Sequence, residues 1–179
     1  MPHIHTNPGE HDHTVSAYII RLDFDEPKMI LHLHKKVHVY LNFGGHIEIN
    51  ENPWQAIEHE ILEESGYNIN QLKVLQPKNR IKKLTGNLLH PIPLTYGTHD
   101  ISEIAESKHL HTDSSFVFVT NEPPGHKISA GESQDIIILN KDEIASHDNV
   151  GLFVKEASEY IFKEVLPNWE QVDTAEFTD

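Results

Sequence analysis

The stretch from Gly44 to Tyr67, GGHIEINENPWQAIEHEILEESGY, constrains this chain more than any other. It spells a helix with both ends marked. Asn52 is a good N-cap, Pro53 suits the first helical position, where an N–H has no partner anyway, and Gly66 suits the left-handed residue that ends a helix. The spacing predicts a helix over 53–65. At about 100° per residue, Trp54, Ile57 and Ile61 fall on one stripe, while Glu60, Glu63 and Glu64 spread over an adjoining arc of about 100°. One face packs and the next gathers carboxylates. Like charges so close repel one another, and oxygen-rich clusters of this kind suit hard divalent ions such as Mg²⁺.

The order Gly45, five residues, Glu51, seven residues, then His59 to Tyr67 resembles the Nudix box, G-x5-E-x7-R-E-U-x-E-E-x-G-U with U bulky and apolar. Gly45, Glu51, Glu60, Ile61, Glu63, Glu64 and Gly66 match, and Tyr67 takes the last apolar position. His59 departs, standing where that family has arginine. In Nudix proteins the arginine pairs with the glutamate matched here by Glu51 and steadies the loop–helix–loop. A histidine imitates it only when protonated or through a single hydrogen bond. Downstream, His109, His111 and Asp113 before FVFVT, and Gly131 to Asp135 before IIIL, resemble the H-x-H-x-D and E-S-x-E strands of many Nudix hydrolases.

The resemblance implies an α/β fold, the α/β/α sandwich with a central mixed sheet, over one domain spanning residues 1–179. It also implies hydrolysis of a diphosphate linkage in a nucleoside diphosphate joined to another group, or in a related organic diphosphate. Glu60, Glu63, Glu64 and the Gly44 carbonyl would hold Mg²⁺, or Mn²⁺, and Glu51 would orient the helix through His59. The general base stays open among Glu63, Glu64, Glu132 and Asp135, with a plain surface turn as the other reading of Glu132. His46 follows the glycine pair and is expected near bound phosphate. Lys35, Lys36, Arg80, Lys82 and Lys83 are either phosphate donors or solvated turn and loop residues. His111 and Asp113 either shape the pocket or begin a strand. The alternative is a Nudix-fold module that binds a nucleotide without cleaving it; His59 favours that reading and the intact Glu60, Glu63 and Glu64 oppose it. Isomerases of this fold rely on a cysteine, which this chain lacks. Homodimers are common in the family, and nothing in these residues measures an interface.

Composition narrows the partners. The formal charge of −14 argues against wrapping long DNA or RNA, whereas a small phosphorylated ligand needs only a few cations or a metal ion. Without cysteine, any metal must use oxygen or nitrogen ligands. No membrane segment or signal peptide is legible, so the cytoplasm is the expected location. His3-x-His5 with Glu10 resembles half of a cupin motif, and His32 and His34 alternate with leucines in the manner of a half-exposed strand face.

Apolar periodicity predicts strands near 14–22, 29–34, 37–42, 72–76, 116–120 and 135–139, and a second helix near 150–165. In that helix Phe153, Ala157, Ile161 and Val165 form a core-facing stripe closed by Pro167. Residues 79–112 read as a long loop, 1–13 as a peripheral arm and 168–179 as a frayed acidic tail.

Overall fold

Two strands eleven residues long, His11–Arg21 and Leu110–Thr120, run parallel through the middle of the molecule, His11 opposite Leu110 and Arg21 opposite Thr120. Alternate residues of a strand point to opposite faces. Here both faces are covered along most of their length: Val15, Ala17, Ile19, Phe116 and Phe118 are buried on one, and Tyr18, Ile20, Val117 and Val119 on the other. That double burial is why both runs read as nearly continuous apolar sequence.

The computed structural model describes residues 9–101 and 109–177, so His3 and His5 lie outside the described residues. In chain order the strands are β1 (His11–Arg21), β2 (Lys28–Leu33), β3 (Tyr40–Leu41), β4 (Phe43–His46), β5 (Lys73–Gln76), β6 (Thr95–Asp100), β7 (Leu110–Thr120), β8 (Ile136–Leu139) and β9 (Glu170–Asp173). The helices are α1 (Pro53–Ser65), α2 (Lys141–Ser146) and α3 (Leu152–Tyr160), the last continued by a π-helical turn, Ile161–Val165, and a final turn, Leu166–Asn168. The sheet runs β3-β2-β1-β7-β5-β9, with β4 on β1, β6 on β7 and β8 on β2. Among the described strands β1 and β7 pair in parallel and the other ladders are antiparallel, so the sheet is mixed.

One face of the sheet takes α1, whose Trp54, Ile57 and Ile61 pack with Phe43 and Phe118; the Trp54 ring stacks on Phe118 at 5.9 Å. The other takes α2 and α3 through Ile144, Val154, Ile161 and Val165. The α/β/α sandwich is therefore present, and burial of each such side chain contributes about 1.5–3 kcal/mol. The ends of α1 are as its residues indicated. Asn52 Oδ1 accepts from the amides of Trp54 and Gln55 at 2.9 and 3.0 Å, and Gly66 caps the helix at φ 75°.

Several boundaries differ from expectation. The arm is not peripheral beyond residue 10: His11 to His13 belong to β1, and Asp12 is 1% exposed. Residues 95–100 form β6 inside the expected loop, paired with β7; all six side chains are exposed, so no apolar period marked them. The tail carries β9, which pairs with β5 and has a single buried residue, Val172. Beyond it Phe177 is buried 5.7 Å from Trp54, and Thr174 Oγ1 donates to the Ile69 carbonyl at 2.9 Å. The expected strand 37–42 starts only at Tyr40, because His38 sits at φ 55° in a tight turn. In α3 the buried stripe is Val154, Ser158, Ile161 and Val165, and Phe153 is exposed. A repeat of four drifts about 80° over two steps against a turn of 3.6 residues, which carries Phe153 off the core face. The helix also runs on past Pro167 to Asn168.

Candidate active site

The glycine pair and α1 meet at the centre of the sheet. Gly44 lies at φ 150°, and a Cβ there would sit 2.1 Å from the Val15 carbonyl oxygen, so only glycine lets β4 approach β1 this closely. Its amide donates to Glu64 Oε2 at 2.9 Å. A Cβ on Gly45 would fall 2.1 Å from Glu60 Oε1, so the absence of a side chain makes the space in which that carboxyl sits. Glu60 and Glu64 are both buried. Burial, with the nearby charges of Glu63 and Glu132, pushes Glu60 up to about 7. Burial also pushes Glu64 up to about 8, against the opposing Gly44 hydrogen bond. Glu63 is exposed at the edge of the same cluster.

Glu51 and His59 close the loop before the helix. His59 Nδ1 is 2.8 Å from Glu51 Oε2, and Glu51 Oε1 accepts from the Glu48 amide at 2.9 Å. The imidazole thus makes a single contact where a guanidinium fork makes two. The segment after β7 crosses the C-terminal half of α1: Ser129 N donates to the Glu63 carbonyl at 2.8 Å and His126 N to the Gly66 carbonyl at 2.9 Å. It carries Glu132 to the cluster, where Lys35 Nζ donates to Glu132 Oε2 at 3.0 Å. Asp135 accepts from Tyr40 Oη at 3.0 Å.

His32 joins this site, although its alternation with leucines predicts a half-exposed strand face. It is 3% exposed, and its Nδ1 lies 3.8 Å from Glu64 Oε1. Burial first, then the neighbouring His34, lowers it to about 4, so it stands neutral beside the carboxyls. The alternation HLH suggested a half-exposed face, but β2 is an interior strand covered on both faces. No local signal reports that.

Two expected substrate contacts lie elsewhere. Arg80 is bound by Glu170 of β9 and donates to the Pro77 carbonyl, and Lys82 shares the same carboxylate at 2.9 Å. Their pairing with a strand that the sequence did not reveal is what takes Arg80 away from α1. His46 is the residue after Gly45 on β4, so strand alternation turns it to the opposite face of the sheet. There its Nε2 lies 3.3 Å from Asp12 Oδ2, and its ring meets that of His111 edge-on at 5.0 Å. His109 Nε2 is 3.2 Å from His111 Nε2. Burial, followed by the charges of His46, His99 and His109, lowers His111 to about 4. Asp113 is a satisfied acceptor for the hydroxyls of Thr14 and Ser16 on β1 and of Ser115 on its own strand, at 2.8–3.0 Å.

No protein-family model and no curated protein matches the chain. Solved structures do. A NUDIX-family hydrolase from Clostridium perfringens is 28% identical and similar at a TM-score of 0.66, over 82% of this chain and 93% of that one. The dihydroneopterin triphosphate pyrophosphohydrolase of E. coli is 15% identical, with a TM-score of 0.60 over 90% of this chain and 99% of its own. The C. elegans Ap4A hydrolase, also 15% identical, has a TM-score of 0.54 over 85% and 94%. The architecture is that of a Nudix hydrolase. With the box on α1 and a solved structure of 28% identity sharing the fold, the chain is similar to the Nudix family in both motif and architecture.

Proposed function

We propose that this protein hydrolyses a diphosphate linkage with Mg²⁺, or Mn²⁺, acting on a nucleoside diphosphate joined to another group or on a related organic diphosphate. The observation that carries this reading is the pair of buried carboxyls, Glu60 and Glu64, pressed against a glycine pair where Gly45 leaves room for no side chain. Burying two such acids side by side is costly unless they serve a bound cation, and Glu60, Glu63, Glu64 and the Gly44 carbonyl would supply an oxygen-only donor set of the kind Mg²⁺ takes. Bound there, the ion would lower the pKa of a water and offset charge on the attacked phosphoryl group.

The chain's own groups supply the rest. Glu51 and His59 hold the entry of α1, and Lys35, whose charge acts on Glu64, would meet phosphate oxygens by leaving its bond to Glu132. Glu132 is held by Lys35 and Asp135 by Tyr40, which favours Glu63 or Glu64 as the carboxylate that takes the proton from the attacking water. His59 was the support for a binding-only module, and its contact with Glu51 weakens that reading. Proteins of this fold that are by name an Ap4A hydrolase and a dihydroneopterin triphosphate pyrophosphohydrolase favour a small nucleotide-like substrate, as does the net charge of −14. A cytoplasmic setting goes with such a substrate.

The test is product release from nucleoside diphosphate sugars, ADP-ribose, dinucleotides and nucleoside triphosphates, with Mg²⁺ or Mn²⁺, for the parent protein and Glu64→Gln. Cleavage that needs both the metal and Glu64 supports the hydrolase. Binding of these nucleotides without turnover in the parent would replace it with the binding module.

A further inference from the structure

The sheet carries a second cluster of ligating groups that the hydrolytic reading does not use. Asp12 of β1, His46 of β4, His109 just before β7 and His111 on it each offer one ligand atom, and these atoms all lie within 4.8 Å of one another. Three strands bring them together: Asp12 sits opposite His111 in the parallel β1–β7 ladder, and His46 closes the β4–β1 ladder opposite Thr14. Strand alternation places the group on the face opposite α1, so the sheet stands between it and Glu60, whose carboxyl lies against Gly45.

Asp12 is the observation that calls for a ligand. It is 1% exposed, and neither carboxylate oxygen has a hydrogen-bond partner. Its neighbour Asp113, one residue pair along the same face, shows the ordinary solution, three hydroxyl donors. A buried carboxylate that accepts no hydrogen bond and has only the His46 imidazole beside it, at 3.3 Å, is costly unless a cation meets it. Two of the ligand spacings match such a cation, and all lie within 4.8 Å. A tetrahedral ion with ligands at about 2.0–2.1 Å separates neighbouring ligand atoms by about 3.3 Å. The His109–His111 nitrogens are 3.2 Å apart and the His46–Asp12 pair 3.3 Å apart.

We infer that Asp12, His46, His109 and His111 bind a borderline divalent transition-metal ion of the Zn²⁺ class, separate from the Mg²⁺ site proposed on α1. The donor chemistry sets the class: three imidazoles and one carboxylate, with no thiolate, suit Zn²⁺, Co²⁺ or Ni²⁺ and are poor ligands for Mg²⁺ or Ca²⁺. This inference does not depend on the hydrolase reading.

The experiment uses the full chain, stripped of metal, titrated with Co²⁺ and followed by its visible spectrum, then with Zn²⁺ as competitor in the presence of millimolar Mg²⁺. The parent is expected to bind one Co²⁺ with the intense absorption of a tetrahedral centre and to lose that absorption to Zn²⁺ but not to Mg²⁺. Asp12→Asn and His111→Ala, each checked for native circular dichroism, should weaken binding by about 100-fold or more. Glu60→Gln and a His3→Ala/His5→Ala double variant should leave it unchanged. Retention of the tetrahedral spectrum in folded His111→Ala or Asp12→Asn, its loss in the His3/His5 variant, or an octahedral spectrum in the parent would each overturn the assignment.

Discussion

On the α1 face of the sheet the charged groups are carboxylates around a pair of glycines; on the opposite face, at the same end of β1, they are imidazoles around one carboxylate. The two clusters are built from adjacent residues of one strand, since Gly45 makes room for Glu60 and His46 turns to Asp12. What separates them is strand alternation, which gives neighbouring residues opposite surroundings. The lesson is chemical. Oxygen donors crowded in a buried site call for a hard ion, whereas mixed nitrogen and oxygen donors call for a softer one. The two proposed sites would then draw different ions to one short strand, because their donor sets differ.

The largest test of this contrast is removal of a carboxyl. Glu64→Gln is expected to lower metal-dependent turnover by on the order of 10³-fold, as loss of a charge-stabilising group at a reaction centre does, while leaving the Co²⁺ spectrum intact. An equal loss of both signals would mean that the clusters are one site. Gly45→Ala comes next. The added methyl would meet the Glu60 carboxyl at 2.1 Å, and a displaced carboxyl should reduce turnover by about 10–100-fold in a protein that still folds. Parent-like rates would show that Glu60 need not sit where it does.

Zn²⁺ should raise the melting temperature of the metal-free parent but not that of Asp12→Asn, because a ligand that binds only the folded state stabilises it by about 2.7 kcal/mol at 100 times its dissociation constant. Equal shifts in a thermal-denaturation scan would place the ion elsewhere.

The α1 face should also show itself through pH. In the metal-free protein Glu60 and Glu64 ionise near 7 and 8, above the ordinary carboxyl value of 4.5. Acids raised in the folded state contribute stability that is fully present below the unfolded value and is lost as pH rises through the folded ones. The melting temperature should therefore fall between about pH 5 and 8, more steeply in the parent than in Glu60→Gln/Glu64→Gln, with a difference on the order of 5 °C. Parallel profiles would show that the carboxyls are not held protonated. The smallest effect belongs to His59→Ala. Its side chain is 68% exposed, so its contact with Glu51 is worth about 0–1 kcal/mol, and a shift of more than a few degrees would point to a larger role in holding the loop.

The sequence alone determined α1 and its carboxylates, because every element of that motif is local. The cap at Asn52, the proline, the stop at Gly66 and the positions of Glu60, Glu63 and Glu64 follow from a period of 3.6 residues and need no distant partner. The long central strands were legible for a related reason: burial on both faces writes itself as unbroken apolar sequence. β6 and β9 were not, since one is wholly exposed and the other buries only Val172; each is a strand because β7 or β5 offers it a ladder. Packing of distant strands settles that Asp12 leaves the expected arm to be buried, that Arg80 is taken by Glu170, that His32 faces Glu64, and that His46 meets His109 and His111 rather than lying beside α1. All of these depend on which strands lie side by side and in what register. That choice is made by packing across the whole sheet, between residues far apart in the chain, and no local pattern records it.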